Sequence, residues 1–147
     1  MASLKNRRLR ARGLNSRIAG LIGSRTFRGI GNRATLTTAL AGANNDITLI
    51  AQTPGTAGNS ITLTIAVAGA STPLSVAVVG NAITVNSATT AGSAASSTAA
   101  QIVSKLNFTP AAKALVWAQV AAPGNDGTGT VVALGSTALT GGVAYSS

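Results

Sequence analysis

The sequence predicts a mainly β fold: an antiparallel β-sandwich-like domain with one or two short packed helices, preceded by an extended basic N-terminal arm. Three observations predict it. From about residue 34 onward, apolar residues alternate with Thr, Ser and Asn in short runs separated by Gly, Pro and Asn, the period of half-buried strands. Between Ser96 and Asn107 the period lengthens to that of a helix. Charge is also divided unevenly: residues 1–33 carry nine of the 11 Lys and Arg and no acidic residue, whereas Lys105 and Lys113 are balanced by Asp46 and Asp126 in residues 34–147. A basic arm over 1–33 therefore precedes a nearly neutral domain over 34–147.

The basic residues of the arm are Lys5, Arg7, Arg8, Arg10, Arg12, Arg17, Arg25, Arg28 and Arg33. Among them Leu14, Ile18, Leu21 and Ile22 fall at i, i+4, i+7 and i+8, sharing one helical face with Arg17 turned away. Gly13, Gly20 and Gly23 weaken an isolated helix, so a short amphipathic helix stabilised by docking is expected, then an extended tail to Arg33. Pinning such a self-repelling tail costs about 1–2 kcal/mol per residue in backbone entropy, which a partner surface or neighbouring subunit would offset. The alternative is that Leu14, Ile18 and Phe27 pack back on the chain's own domain.

In the domain, ATLTTAL opens a strand, and NNDITLIA places Ile47, Leu49 and Ala51 on one face. NSITLTIAV does the same with Ile61, Leu63, Ile65 and Val67, PLSVAVV with Leu74, Val76 and Val78, and NAITVN with Ile83 and Val85. Between these runs, Pro54-Gly55 and Gly58-Asn59 mark a turn, and Gly80-Asn81 has the brevity of a hairpin loop. SSTAAQIVSKLN then groups Ala99, Ile102, Val103 and Leu106 on one helical face, with Ser96 or Ser97 as N-cap. Thr109-Pro110 offers a second cap and N1 proline for a short helix to about Ala114. LVWAQVAA returns to extended chain, GNDGTGT turns, and VVAL leads to a last strand near TALTGGV. Ile61, Leu63, Ile65, Val76, Ile83, Val85, Ile102, Val103 and Leu106 are the expected core.

Composition excludes several chemistries. Without His or Cys there is no His/Cys metal site, thiol nucleophile, Ser-His-Asp triad or disulfide. Asp46 and Asp126 are the only acidic residues, too little for paired-carboxylate catalysis. They are expected in separate turns; a shared calcium site would need the fold to bring them together with several carbonyls. Gly29-Ile30-Gly31 lacks the strand-turn-helix setting of a dinucleotide fingerprint, and Gly124 to Gly129 lacks the P-loop lysine. No catalytic residue, cofactor or metal is expected.

Four rings, Phe27, Phe108, Trp117 and Tyr145, leave the core to aliphatic side chains. Trp117 is expected in that core, against a role as sugar platform or interface anchor. Asn107-Phe108-Thr109 matches a glycosylation acceptor in form, but Pro110 follows it, and the string reads as a helix end and the next cap. No apolar run is long enough to cross a bilayer, and Ile18 to Ile22 is too short for a secretory signal. A membrane role is not expected.

A nearly uncharged β surface is a solubility liability for a free monomer but suits a body packed among neighbours. The arm can bind in two ways. Arg7, Arg8, Arg10, Arg12, Arg17, Arg25, Arg28 and Arg33 can contact nucleic-acid phosphates or bridge carboxylates at a protein interface. The interspersed Leu14, Ile18, Leu21, Ile22, Phe27 and Ile30 favour an anchor that buries apolar groups as well as neutralising charge.

The succession GANNDITLIAQTPGTAGNSITLTI, LSVAVVGNAITVN, STAAQIVSKLN and GTGTVVALGSTALTGG, over about 42–142, resembles a module of tailed-bacteriophage virion proteins, both tail and head-associated. In order, Asn44 to Asn59 match its opening strand and glycine turn, Gly80 to Asn86 its central hairpin, Thr98 to Asn107 its helix, and Leu139 to Gly142 its closing segment. The resemblance implies a noncatalytic β-rich assembly module, located in the virion and assembled in the host cytoplasm. Similar modules sit within larger sheath-like or fibre-like chains; the single copy here and its arginine-rich leader point instead to a capsid decoration or cement protein. Its partners would then be the major capsid protein or other virion structural proteins, and further copies of itself in a homo-oligomer. The alternative is an internal, head-tail or tail structural protein whose arm meets packaged DNA. A carbohydrate-binding fibre tip would need exposed aromatic residues.

Overall fold

β-branched and aliphatic residues at every second position form strands because alternate side chains leave a strand on opposite faces. In the computed structural model, which describes residues 31–145, seven such strands and two α-helices form among those residues. The first sheet joins β1 (Arg33–Thr37), β2 (Ile47–Pro54) and β6 (Val116–Val120), all antiparallel. The second has the order β4 (Ser75–Val79), β5 (Ala82–Asn86), β3 (Thr62–Ala66) and β7 (Leu134–Ala138). A short 3-10 turn, Thr56–Ser60, occupies the Pro-Gly loop between β2 and β3.

The β-sandwich-like class read from the sequence is the one observed, with one difference inside it. β3 and β5 pair in parallel, Leu63 beside Ile83 and Ile65 beside Val85, while β4 and β7 flank them antiparallel. After β3 the chain returns one strand further out as β4. The tight Val79-Gly80-Asn81-Ala82 hairpin then brings β5 back into the gap beside β3. Gly80 sits at φ +57°, a left-handed conformation that glycine takes without steric cost. Period-two burial is identical for parallel and antiparallel neighbours, so the run pattern does not distinguish them.

The sheets face one another across Ile47, Leu49, Ala51, Val116 and Ala118 on one side and Leu63, Ile65, Ile83 and Val85 on the other, all buried. Of the nine expected core residues, Val76 and Val103 are partly buried against this cluster and the other seven are within it. On one flank, Thr35 N–H donates to Thr140 O at 2.7 Å and Thr140 N–H to Thr35 O at 2.9 Å, tying β1 to the segment after β7. On the other, α1 (Ala99–Phe108) and α2 (Pro110–Leu115) lie between β6 and β4, burying Ala99, Ile102, Leu106 and Ala112.

The cap of α1 is Thr98, in place of the expected Ser96 or Ser97. Its hydroxyl accepts from Gln101 N–H at 3.3 Å and Gln101 Oε1 accepts from Thr98 N–H at 2.9 Å, a reciprocal capping box. Ser97 is buried and engaged elsewhere, accepting Ala88 N–H at 2.8 Å. Thr109 precedes α2 as expected, but its hydroxyl donates to Lys105 O at 2.8 Å instead of capping; Pro110 at N1 has no N–H to satisfy.

The packed body also begins a little before residue 34. Gly31 is buried, and Asn32 O accepts Gly55 N–H at 2.9 Å and Val143 N–H at 3.2 Å. A Cβ on Gly31 would stand 2.5 Å from Val143 O, so backbone approaches there as closely as glycine allows. These residues belong to one compact unit, Ile30–Ser146. Charge composition changes after Arg33, but packing follows the hydrogen bonds available to the backbone.

Candidate assembly surface

The outward face of the first sheet carries Thr35 and Thr37 from β1, Thr48 and Ile50 from β2, and Trp117 and Gln119 from β6. Register sets Thr35, Ile50 and Trp117 in one cross-strand row and Thr37, Thr48 and Gln119 in the next. The outward face of the second carries Ser75, Ala77 and Val79, then Ala82, Thr84 and Asn86, then Thr62, Thr64 and Ala66. Apart from Arg33 at the start of β1, exposed in the same phase as Thr35 and Thr37, neither face contains an ionisable group. Val79 stands 80 % exposed at its hairpin.

Trp117 is 47 % exposed, which corrects its expected place in the core. LVWAQV is apolar in both phases of a strand, so its inward side could not be read from hydrophobicity. The available signal was Gln119, which shares the phase of Trp117, while Val116 and Ala118 point inward and are buried. Phe108 is 85 % exposed and Tyr145 56 %, so every ring among the described residues faces outward. Phe108 lies two positions past Leu106 and off the apolar stripe of α1, a displacement visible in the helical period itself.

Asn107, the formal glycosylation acceptor, is occupied. Its Nδ2 donates to Ala118 O at 2.8 Å and its Oδ1 accepts Ala118 N–H at 3.0 Å, so a side-chain amide pairs with the outer edge of β6 as another strand would. Beside α1 an apolar groove of about 530 Å³ is lined by Leu74, Ala88, Ala100, Ser104, Lys105 and Phe108.

The two aspartates hold separate turns. Asp46 Oδ1 accepts Thr38 Oγ1–H at 3.0 Å and Leu40 N–H at 2.7 Å, closing the loop before β2. Asp126 Oδ1 accepts Thr128 N–H at 3.0 Å and its hydroxyl at 2.7 Å; these bonds, the backbone one foremost, hold the exposed carboxyl below its ordinary pKa. Each carboxylate thus serves its own loop. Among the described residues no group of three or more acidic, His or Cys side chains converges as a metal site. No helix among them is long and apolar enough to cross a membrane.

Of the residues assigned to partner binding from sequence, Arg33 lies in the described chain. It is exposed on β1, and its guanidinium donates to Ala51 O at 2.9 Å and to Gln52 O, tying it to β2 through neutral carbonyls that leave its charge uncompensated. Arg7, Arg8, Arg10, Arg12, Leu14, Arg17, Ile18, Leu21, Ile22, Arg25, Phe27 and Arg28 lie outside the described residues. Comparison of the chain with protein-family models, curated proteins and solved structures finds no match.

Proposed function

We propose that this protein is a noncatalytic virion structural protein, a capsid decoration or cement protein fastened to neighbouring shell subunits by its basic N-terminal arm. One contrast carries the reading: nine cationic residues in the first 33 positions, the last of them Arg33 at the start of β1, are joined to a β body whose exposed sheet faces carry no other charge. The body offers few counter-charges for such an arm. Its carboxylates are Asp46, committed to Thr38 and Leu40, and Asp126, committed to Thr128. The anions that neutralise the arm therefore belong to another molecule.

Carboxylates of a shell protein and phosphates of packaged DNA both fit this requirement, and the DNA-contacting structural protein is the second reading. The apolar residues spaced through the arm favour the first, since a phosphate-binding tail has no use for a buried aliphatic face. Replacing Leu14, Ile18, Leu21 and Ile22 by Ser while keeping every arginine separates them. A protein anchor loses its grip on empty shells, because each buried aliphatic side chain contributes roughly 1.5–3 kcal/mol. A DNA-binding arm keeps its affinity and its steep salt dependence. Undiminished binding of the quadruple variant to empty shells would overturn the anchor.

A further inference from the structure

We propose that two copies of this chain associate through β4, edge to edge and antiparallel about a twofold axis at Ala77, making one continuous sheet from the second sheet of each copy. The inference deepens the assembly reading by naming a self-association surface, and it rests on groups that the body leaves unpaired.

The hairpin determines which groups these are. A two-residue loop makes Val79 and Ala82 a hydrogen-bonded pair, and Ala77 with Thr84 and Ser75 with Asn86 follow in the same phase. Val76 and Val78 accordingly turn N–H and C=O away from β5, to the open side of β4, where no described loop or side chain bonds them.

Each of the other edges is treated differently. β6 has its edge taken by the Asn107 amide, and β1 is tied to Thr140. β7 contains Gly135 and pairs with β3 through a register irregularity. β4 has no lysine, proline or bulge, devices that keep strand edges from pairing with other chains; α1 and α2 pack beside it, but neither bonds the Val76 and Val78 backbone groups.

A second copy fits this edge on three grounds. The unpaired groups are symmetric about Ala77, so antiparallel pairing sets Val76 against the partner's Val78 and each donor meets an acceptor. The outward residues Ser75, Ala77 and Val79 are neutral, so no like charges oppose one another across the seam. Third, the described chain begins at the far flank. Gly31 packs against Val143 and Tyr145, in the segment that follows β7 and is tied to β1 through Thr140, whereas β4 is at the opposite end of the strand order from β7.

In the joined sheet the two β7 strands lie seven spacings of about 4.8 Å apart, roughly 34 Å. This is well beyond a Debye length of about 8–10 Å, so charges at the two flanks are screened from one another. Pairing of one short strand falls short of the roughly 1,000 Å² expected of a stable interface. The same register brings the partner's Gly80-Asn81 loop alongside Leu74, at the mouth of the apolar groove bounded by Phe108, which supplies further area.

The chain contains no cysteine, so single substitutions report the register directly. In this arrangement Ala77 faces its own copy as a non-hydrogen-bonded pair about 4.5 Å apart at Cα, within disulfide range. Full-length protein is examined by sedimentation equilibrium at low and high salt, without shells or DNA. The expected result is a dimer at both salt concentrations, a disulfide-linked dimer of Ala77→Cys on mild oxidation, and a mixed disulfide between Ser75→Cys and Val79→Cys chains. Ala77→Lys, which places two cations at the axis on an exposed position, should halve the measured mass while keeping the wild-type circular-dichroism spectrum, its unfolding midpoint losing only the concentration-dependent part that association supplies. A monomeric wild type overturns the proposal, as does a dimer indifferent to Ala77→Lys or one in which Ala77→Cys stays reduced. Failure here leaves shell binding by the arm untouched, because that is read from the quadruple arm variant on shells.

Discussion

The amide of Asn107 is a single side chain on which a strand edge and a helix end both depend. It exchanges two hydrogen bonds with Ala118, at 2.8 and 3.0 Å, from the last turn of α1. Each such bond contributes about 1 kcal/mol net, and a partly buried backbone group left without a partner adds to the loss. Asn107→Ala is therefore expected to destabilise the body by about 2–3 kcal/mol, a fall in melting temperature of roughly 8–12 °C for a domain of this size.

Asn107→Asp tests the geometry more sharply. A carboxylate can accept Ala118 N–H but meets Ala118 O as a second acceptor, whereas a protonated carboxyl can donate to it. Its native pKa should rise above the unfolded value of about 3.9. The variant is then nearest wild type below that value and loses stability as pH rises through the interval up to the native pKa, reaching a constant deficit above it. Urea unfolding of wild type, Asn107→Ala and Asn107→Asp across acid to neutral pH checks this. If the aspartate variant showed the same deficit relative to wild type at all pH values, or either variant lost nothing, the paired-amide argument would be wrong.

Three further expectations follow from the body. Leu63→Ala removes a fully buried side chain between the sheets and should cost about 2–5 kcal/mol by denaturant unfolding, with the upper end marking a cavity that does not collapse. Gly129→Ala should prevent the Gly129 N–H to Asn44 O bond of 2.9 Å, because a Cβ there collides with the backbone of Ala43 and Asn44; loss of slow hydrogen exchange at Gly129 and a lowered unfolding midpoint report it. Asp126 should titrate below an ordinary carboxyl by NMR. Its turn bonds therefore contribute stability above the unfolded pKa and lose it as pH falls through the native value, and Thr128→Ala should return the titration toward normal.

Much of the body was legible in the sequence where one face of an element is buried, although the last strand, expected near TALTGGV, is Leu134–Ala138. Ile47, Leu49 and Ala51, Ile61, Leu63 and Ile65, Ile83 and Val85, and Ala99, Ile102 and Leu106 all read correctly from periodicity, because burial repeats with the backbone's own geometry. Trp117 did not, since its strand is apolar in both phases. The helix cap is Thr98 instead of the expected Ser96 or Ser97; Ser97 accepts Ala88 N–H, a contact with no trace in local sequence. As for the candidate surface, its lack of charge and its basic leader are compositional and could be read directly, whereas the unpaired edge of β4 could not.

What the sequence determined by itself is what depends on near neighbours in the chain: strand and helix periods, the Gly80 hairpin, the Thr109-Pro110 helix start, and the charge imbalance between arm and body. What the tertiary structure decided is what depends on partners far along it. β5 lies parallel to β3, Thr35 closes on Thr140, Asn107 covers the edge of β6, and among the described residues none bonds the outer edge of β4. The physical reason is that a strand's periodicity specifies which face is buried, while its hydrogen-bonding edges look the same in every strand. Which edge is paired, covered or left free is settled only when the chain is folded.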